Sequence, residues 1–234
     1  MEVHVTNSQT ESVFTSVASD LTRARLGHVP VENSESQLGQ DIFALIAAEG
    51  KDAGYFVEIG AGDGVKLWNT YLLELCGWHG ILCDPNPQYE GNLRAKRQAQ
   101  IDSRCVWSES GLTVKLKQAG YLSSMEASVA SDHHAKARVS ASGGWFTATT
   151  ISLVDLLNEH RAPHCIDFLS IDTEGSELDI LSAFPWGERY QFRSIAVEHD
   201  YGENRSRIAK LLSKHGYIQV GSNVSQQDDW FTLL

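Results

Sequence analysis

The chain has 234 residues, a length that allows one large domain or at most two small ones. Its 30 Asp and Glu residues exceed its 19 Lys and Arg residues, which gives a formal net charge of -11. This balance argues against sequence-independent nucleic-acid binding, which needs cationic side chains to neutralise phosphates. The hydrophobic fraction of 42% and the charged fraction of 21% are ordinary for a globular protein and argue against global disorder.

No targeting or membrane signal stands out in the sequence. Residues 1–7 lack the basic start and apolar run of a signal peptide. The longest apolar run, residues 42–48, is far shorter than the ~18 residues that a membrane span needs. The cysteines are scattered without a C-x-x-C pair, so neither zinc binding nor a redox couple is indicated; they are Cys76, Cys83, Cys105 and Cys165. We therefore expect a cytoplasmic protein with no membrane span.

The predicted elements alternate between short apolar strands and amphipathic helices. Residues 1–33 are polar and predict a mobile lead-in to a single domain over residues 34–234. Strands are predicted at residues 55–59, 80–83, 103–107, 166–171, 194–197, 217–220 and 230–233. Helices are predicted from residue 41 to about 49 and at residues 67–75, 87–98, 152–158, 176–183 and 205–214.

This alternation indicates an α/β fold. Near-continuous apolar strands separated by helices are typical of a parallel sheet that is covered on both faces. No helix separates the last two strands, so we expect them to form an antiparallel hairpin at one edge of the sheet. Residues 119–147 interrupt the pattern and predict a substrate-binding or lid loop, with a flexible surface loop as the alternative.

The strongest motif is a glycine-rich turn between the first strand and the next helix. It reads Glu58-Ile-Gly-Ala-Gly-Asp-Gly64, and Val65 stands where a dinucleotide fingerprint would have its third glycine. The form E-x-G-x-G-x-G is associated with S-adenosylmethionine. We therefore predict cofactor contacts from the turn, by Gly60, Ala61, Gly62 and Asp63. Glu58 either recognises the methionine end of that cofactor or braces nearby backbone N–H groups.

Two later positions extend the predicted cofactor site. Asp84 ends the second strand about 20 residues after the glycines, where a carboxylate accepts hydrogen bonds from ribose hydroxyls. NAD enzymes share this feature, and Asn86 can instead act as a helix cap. Pro85 follows Asp84, and Ser108 lies near the end of the predicted third strand, where an adenine ring commonly meets the backbone.

The sequence resembles the FkbM-type methyltransferase family over nearly all of residues 34–234. The matching stretches are 36–41, 54–64, 69–74, 77–80, 84–87, 167–177 and 197–199. The resemblance implies a class I, Rossmann-like methyltransferase with a seven-stranded, mostly parallel sheet. It also implies methyl transfer from S-adenosylmethionine to oxygen on a sugar or natural product. Asp84 stands where the family more often has Glu, and Trp68 where it often has Ser.

Candidate catalytic residues follow two predicted strands near the carboxyl edge of the sheet. Asp172 and Glu174 follow one strand, and Glu198 and His199 follow the next. If the strands are neighbours, these groups converge, and Asp172, Glu198 or His199 could accept a proton from a hydroxyl. Asp172, Glu174 and Glu198 could instead hold a divalent cation such as Mg²⁺. Helix capping by Asp172 and Glu174 and a structural role for His199 are the alternatives.

Three functions are therefore weighed. The first is a methyltransferase that uses S-adenosylmethionine and a small-molecule or glycan acceptor, with no nucleic acid. The second is an NAD-dependent oxidoreductase, against which stand the displaced third glycine and the lack of a Tyr-x-x-x-Lys pair. The third is a cofactor-binding module without catalysis, which the presence of Glu58, the glycines, Asp84 and Asp172 argues against.

Overall fold

The computed structural model describes residues 26–27, 29–126 and 134–234. The predicted lead-in over residues 1–33 lies largely outside the described residues, although Val31–Asn33 form a short 3-10 helix. No helix in the described ranges is both long enough and apolar enough to cross a membrane.

The described chain alternates strands and helices, much as the sequence predicts. The helices are α1 (Gln40–Ala47), α2 (Tyr71–Leu75), α3 (Pro87–Lys96), α4 (Ala135–Ser140), α5 (Leu153–Glu159), α6 (Glu177–Ala183) and α7 (Arg205–Lys214). The strands are β1 (Tyr55–Ile59), β2 (His79–Cys83), β3 (Gln100–Asp102), β4 (Cys105–Trp107), β5 (Thr113–Lys117), β6 (Ser124–Met125), β7 (Trp145–Ser152), β8 (Cys165–Ile171), β9 (Gln191–Glu198), β10 (Tyr217–Val220) and β11 (Asp228–Leu233).

Seven strands form the main sheet, in the order β3-β2-β1-β8-β9-β11-β10. The first five are parallel, and β11 is antiparallel to both β9 and β10. The predicted seven-stranded sheet with an antiparallel carboxyl-terminal hairpin is thereby confirmed. The chain reverses its direction of winding between β1 and β8, and ligands bind at such a switch point beyond the carboxyl ends of the strands.

Both faces of the main sheet are buried, as parallel strands require. Alternation along β1 sends Phe56 to one face and Val57 and Ile59 to the other. Helices α1, α2 and α3 cover the Phe56 face, and α5, α6 and α7 cover the Val57 face. Glu58 lies on the Phe56 face by the same alternation, which places a carboxylate inside an apolar layer.

A second sheet lies between β3 and α5 in the chain, and the sequence did not predict it. Its strand order is β4-β7-β5-β6, with a small apolar core that includes Cys105, Leu116 and Met125. The predicted strand over residues 103–107 is therefore wrong as the third strand of the main sheet. That position belongs to β3, and residues 105–107 pair with β7 instead. Of the predicted strand, only residues 105–107 form β4, and Ser103 and Arg104 separate β4 from β3.

The described part of residues 119–147 is not one continuous loop, because it contains β6, α4 and the start of β7. A substrate-binding or lid role for this segment stays a prediction. Residues 127–133, which include His133, lie outside the described residues. Strand β6 has two residues and α4 has six, so neither is long enough to produce a clear periodic pattern in the sequence.

The family stretch at residues 36–41 is buried rather than exposed. The Asp41 carboxylate accepts hydrogen bonds from the hydroxyls of Ser34 and Ser36. The neighbouring Gln40 amide donates to Asp228 Oδ2 at 2.7 Å, which joins α1 to β11. Burial raises the pKa of Asp41 to about 6 and that of Asp228 to about 6.

These two carboxyl groups give the fold a predicted pH dependence. A folded-state pKa above the unfolded value means that the native state binds more protons between about pH 4 and pH 6. Their contribution is therefore complete in acid and is lost as the pH rises through about 6. We expect the free energy of unfolding of wild type to fall between about pH 4 and pH 7, and Asp41→Asn to reduce that fall.

Urea unfolding at the two pH values measures this difference directly. Asp179 is exposed in the first turn of α6, so Asp179→Asn is the matched control and should keep the wild-type pH dependence. A wild-type slope in Asp41→Asn would show that Asp41 does not hold the extra proton.

Candidate active site

A cleft of about 600 Å³ lies at the carboxyl ends of β1, β2 and β8. Its floor comes from the main sheet, and Leu116, Met125 and Phe146 of the second sheet line it from the other side. The cleft brings together many of the residues that the sequence predicted; they are Gly60, Asp84, Pro85, Asp172 and Glu174. Its position at the switch point is where an open α/β sheet binds ligands.

The glycine-rich turn is tightly packed against the chain itself. A Cβ on Gly60, whose φ is +91°, would lie 1.7 Å from the backbone oxygen of Asp172. A Cβ on Gly62, whose φ is +43°, would lie 1.8 Å from Cζ2 of Trp68. Gly60 therefore allows β1 and β8 to end side by side, and Gly62 makes room for the Trp68 indole.

Ala61 and Asp63, which were also predicted to contact the cofactor, are not among the residues that line the cleft. Ala61 is completely buried in the main-sheet core. Asp63 accepts a hydrogen bond from Trp68 Nε1 at 3.1 Å, which fixes the indole over the turn. A serine at position 68 could not make these contacts, so the turn and Trp68 form one packed unit.

Glu58 is engaged by the protein itself. Its carboxylate accepts hydrogen bonds from the Asn69 backbone N–H and the Thr70 hydroxyl. Arg97 Nη1 lies 3.9 Å from Glu58 Oε2. Burial raises the pKa of Glu58, and the charge of Arg97 opposes that rise. The bracing contacts that the sequence left as an alternative are present, and contact with a cofactor stays a prediction.

Arg94, Lys96 and Arg97 form a short basic run in the sequence that is typical of a solvated helix face, but Arg97 does not share the exposure of the other two. Its side chain is completely buried and donates hydrogen bonds to the backbone oxygens of Gly64 and Thr70. The guanidinium therefore ties α3 to the glycine-rich turn and to the start of α2. Helical periodicity could not reveal this, because Arg97 follows the last residue of α3 and is the helix C-cap.

Asp84 lies in the cleft at the end of β2, as predicted. Its two carboxylate oxygens accept hydrogen bonds from the backbone N–H groups of Gly62 and Asn86, both at 2.8 Å. Burial raises the pKa of Asp84 to about 6. Asn86 caps α3 through its side-chain oxygen, yet its buried Nδ2 has no hydrogen-bond partner in the described structure. A buried donor without a partner beside Asp84 fits a ligand that carries acceptors.

Aromatic side chains form one wall of the cleft. Tyr121 stacks on Tyr89 with ring centroids 5.8 Å apart and meets the edge of Trp68 at 5.6 Å. At the predicted adenine end, the lining residues are Arg104, Cys105 and Val106. Ser108 is not among the residues that line the cleft. It directly follows β4, which pairs with β7 in the second sheet.

Three carboxyl groups meet where β8 and β9 end. Adjacent parallel pairing of these strands brings oxygens of Asp172, Glu174 and Glu198 within 4.8 Å of one another. Burial raises the pKa of Asp172 to about 7 and that of Glu198 well above its usual value, and the negative charge of Asp172 adds to the rise for Glu198. Both carboxyl groups therefore ionise less readily than they would in water.

Glu174 is held from a different direction. Burial and the charge of Asp172 raise its pKa, whereas the Arg138 guanidinium, which donates a hydrogen bond to it, opposes the rise. Glu177 braces the loop below by accepting hydrogen bonds from the backbone N–H groups of Thr173 and Gly175. The alternative prediction was that Asp172 and Glu174 cap the following helix. The N-cap of that helix is Ser176 instead.

His199 follows β9 but has its ring directed into the fold. Nδ1 accepts a hydrogen bond from the Tyr201 backbone N–H at 2.9 Å, so the ring proton lies on Nε2. Nε2 faces Asp229 Oδ1 at 3.5 Å, and the side chain is 2% exposed. Neither nitrogen presents a free lone pair to the cleft in this arrangement, and a catalytic role for His199 stays a prediction.

Comparison with known proteins identifies the family of this fold. The profile of the methyltransferase FkbM domain matches residues 58–218. No curated protein matches the chain.

Two solved structures resemble the fold at low sequence identity. One is a precorrin-6y C5,15-methyltransferase from Geobacter metallireducens GS-15, at 13% identity, with a TM-score of 0.42 over 88% of this chain and 78% of that one. The other is a candidate RNA methyltransferase from Pyrococcus horikoshii, at 10% identity, with a TM-score of 0.41 over 97% of both chains.

Proposed function

The chain belongs to the methyltransferase FkbM domain family and is a methyltransferase, and on that premise we propose that it methylates a hydroxyl oxygen of a small-molecule or glycan acceptor. The observation that carries the proposal is the cluster of the buried carboxyl groups of Asp172, Glu174 and Glu198, whose oxygens lie within 4.8 Å of one another. Asp172 and Glu174 line the cleft that also holds Asp84, and Glu198 ends the neighbouring strand β9. The proposed donor contact and the proposed proton acceptor therefore lie in one cleft.

The family implies S-adenosylmethionine as methyl donor, and the residues present suit that molecule. We assign its ribose hydroxyls to Asp84, whose carboxylate oxygens each keep a lone pair beyond their backbone hydrogen bonds. The unpartnered Asn86 Nδ2 would supply a donor beside it. Gly60 and Pro85 leave the cleft floor free of large side chains, and Tyr89 and Tyr121 offer aromatic faces for a ring.

The proposed chemistry needs a base, because a hydroxyl is a poor nucleophile until its proton is removed. S-adenosylmethionine supplies a methyl group that is already activated on a sulfonium. Asp172 is proposed to accept the hydroxyl proton, because it lines the cleft and burial raises its pKa to about 7, which suits a base near neutral pH. A positioned general base of this kind contributes ~10²–10⁴-fold.

Two further assignments complete the proposal. The described parts of residues 119–147 include Tyr121, Ser123 and Phe146, which line the cleft, and this supports a role for the segment in enclosing the acceptor. A divalent cation bound by Asp172, Glu174 and Glu198 would be the second way to activate the hydroxyl. The distinction matters because only the second requires added metal.

Two experiments test the function. Calorimetric titration with S-adenosylmethionine and with NAD should give saturable binding of the first alone. A screen with methyl-labelled S-adenosylmethionine against a panel of sugars and hydroxylated metabolites, with and without Mg²⁺, should then give a labelled ether. Labelling on nitrogen or carbon instead would replace the hydroxyl acceptor, and donor binding without transfer to any acceptor would favour a non-catalytic module.

Asp84→Ala tests the donor assignment. Hydrogen bonds to a charged group contribute ~1.5–3 kcal/mol each, so we expect the affinity for S-adenosylmethionine to fall by roughly ten- to over a hundredfold. Stability should fall as well, because the Gly62 and Asn86 N–H groups lose their acceptor. Calorimetry measures the affinity, with exposed Asp52→Ala as the control. An unchanged dissociation constant in a folded Asp84→Ala protein would reject the ribose contact.

A further inference from the structure

Arg138 is a buried cation on a short exposed helix. Its neighbours Lys136, Ala137 and Val139 are exposed, whereas the Arg138 side chain has no exposed surface. Nε donates a hydrogen bond to the Leu122 backbone oxygen at 3.0 Å, and Nη2 donates to the Glu174 carboxylate. A buried guanidinium is tolerated only when carboxylates and hydrogen-bond acceptors surround it. Helix α4 therefore delivers one positive charge to the carboxylates at the ends of β8 and β9.

The same position is the one that a metal ion would need. Asp172, Glu174 and Glu198 are the carboxylate group in the described structure whose oxygens lie close enough to hold a cation. Mg²⁺ requires ligand oxygens at ~2.0–2.1 Å in near-octahedral geometry. Glu174 already directs its carboxylate to Arg138, and its oxygens lie within 4.8 Å of those of Asp172 and Glu198. A divalent ion at this point would face the guanidinium across a shared ligand, Glu174.

We propose that Arg138 is the resident cation of this carboxylate cluster and takes the place of a divalent metal. The inference rests on the proposed function, in which the cluster accepts the proton of the acceptor. Arg138 acts as a positioning residue: it neutralises Glu174, so that Glu174 and Asp172 can lie side by side with Asp172 turned toward Glu198. Methyl transfer is then independent of added metal and sensitive to the charge at position 138.

A metal titration tests this without knowledge of the acceptor. Mn²⁺, a paramagnetic substitute for Mg²⁺, is titrated into EDTA-treated protein and followed by electron paramagnetic resonance. Arg138→Gln removes the charge, so it should show saturable Mn²⁺ binding, at least about tenfold tighter than any binding that wild type shows. The double variant Arg138→Gln/Glu174→Gln should lose that gain. Lys136→Gln, on the same helix but exposed, is the matched control and should behave as wild type.

Wild type alone supplies a second readout, which holds even if Arg138→Gln fails to fold. The proposal expects no saturable Mn²⁺ binding at the cluster and no rise in melting temperature on adding Mn²⁺. Arg138→Lys keeps the charge and should share both properties. Saturable Mn²⁺ binding by wild type that Asp172→Asn removes would overturn the proposal, as would equal Mn²⁺ affinity in wild type and Arg138→Gln.

Activity measurements distinguish a failure of this inference from a failure of the proposed function. With any acceptor found by labelling, wild type should keep its turnover in EDTA, and Arg138→Gln should lose turnover by about tenfold or more at unchanged donor affinity. Added guanidinium ions should restore part of that loss. Turnover that stops in EDTA and returns with Mg²⁺ overturns the role of Arg138 and leaves the proposed function intact. Transfer to nitrogen or carbon, by contrast, rejects the proposed function.

Discussion

Replacing Asp172 by Asn is expected to lower turnover by ~10²-fold or more, while the affinity for S-adenosylmethionine stays near its wild-type value. Asparagine keeps the size and shape of the side chain but cannot accept a proton from a hydroxyl. The effect is confined to the chemical step because the proposed donor contacts come from Asp84 and Asn86. The Asp172 backbone, which packs against Gly60, is unchanged by the substitution.

Single-turnover methyl transfer and calorimetry together measure this separation of binding from chemistry. Asp179→Asn alters an exposed carboxylate in the following helix and is the control for a general loss of negative charge. An Asp172→Asn enzyme with full turnover on its true acceptor would remove Asp172 from catalysis. In that case Glu198→Gln becomes the decisive variant, since the Glu198 carboxyl group lies beside Asp172 in the same cluster.

Removal of Arg97 should cause the largest loss of stability. Arg97→Met leaves the buried Glu58 without its nearby positive charge. It also leaves the backbone oxygens of Gly64 and Thr70 without the hydrogen bonds that Arg97 donates to them. Breaking a buried ion pair by removing one partner costs ~3–5 kcal/mol, because the remaining charge is left uncompensated. Methionine fills much of the same volume, so the loss reports the charge and hydrogen bonds rather than a cavity.

Arg94→Met is the matched control, one turn earlier on the same helix. Arg94 is 56% exposed and pairs with Glu90 four residues before it, a contact worth ~0.3–0.5 kcal/mol. Urea unfolding of the two variants should therefore differ by several kcal/mol in free energy. If both variants unfold at the same urea concentration, Arg97 does not compensate Glu58.

A double variant tests whether the two charges are coupled. If they are, adding Glu58→Gln to Arg97→Met should recover part of the stability that Arg97→Met loses.

Arg97 also gives Glu58 a physical reason to occupy a buried strand. The Glu58 carboxylate accepts hydrogen bonds from Asn69 and Thr70, which come just before α2. Arg97 joins this segment to the glycine-rich turn. Its Nε also donates a hydrogen bond to Glu74 Oε2 at 3.3 Å. The floor of the cleft is therefore supported from beneath by an ionic network. This network makes the position of Gly62, and hence of Asp84, depend on residues that need not touch a ligand.

The sequence by itself determined six of the seven strands of the main sheet and the positions of the glycine-rich turn and Asp84. Apolar strands separated by amphipathic helices require a sheet covered on both faces, and β10 and β11 follow each other too closely for a parallel connection. The glycine-rich turn and Asp84 could be predicted because they lie close together in the sequence. Their signals lie within about 30 residues, the length of a single strand-helix-strand unit.

The tertiary structure decided what lies across the cleft from these groups. Arg138, Glu174 and Leu122 are brought together by the second sheet and α4, over separations of 16 and 36 residues that no periodic pattern spans. Arg97 is one residue past a helix, where its burial depends on Glu58 and Glu74 rather than on helical phase. His199 turns inward because Asp229 of β11 faces it. Pairing between distant charges depends on how strands and helices pack, and only the folded chain specifies it.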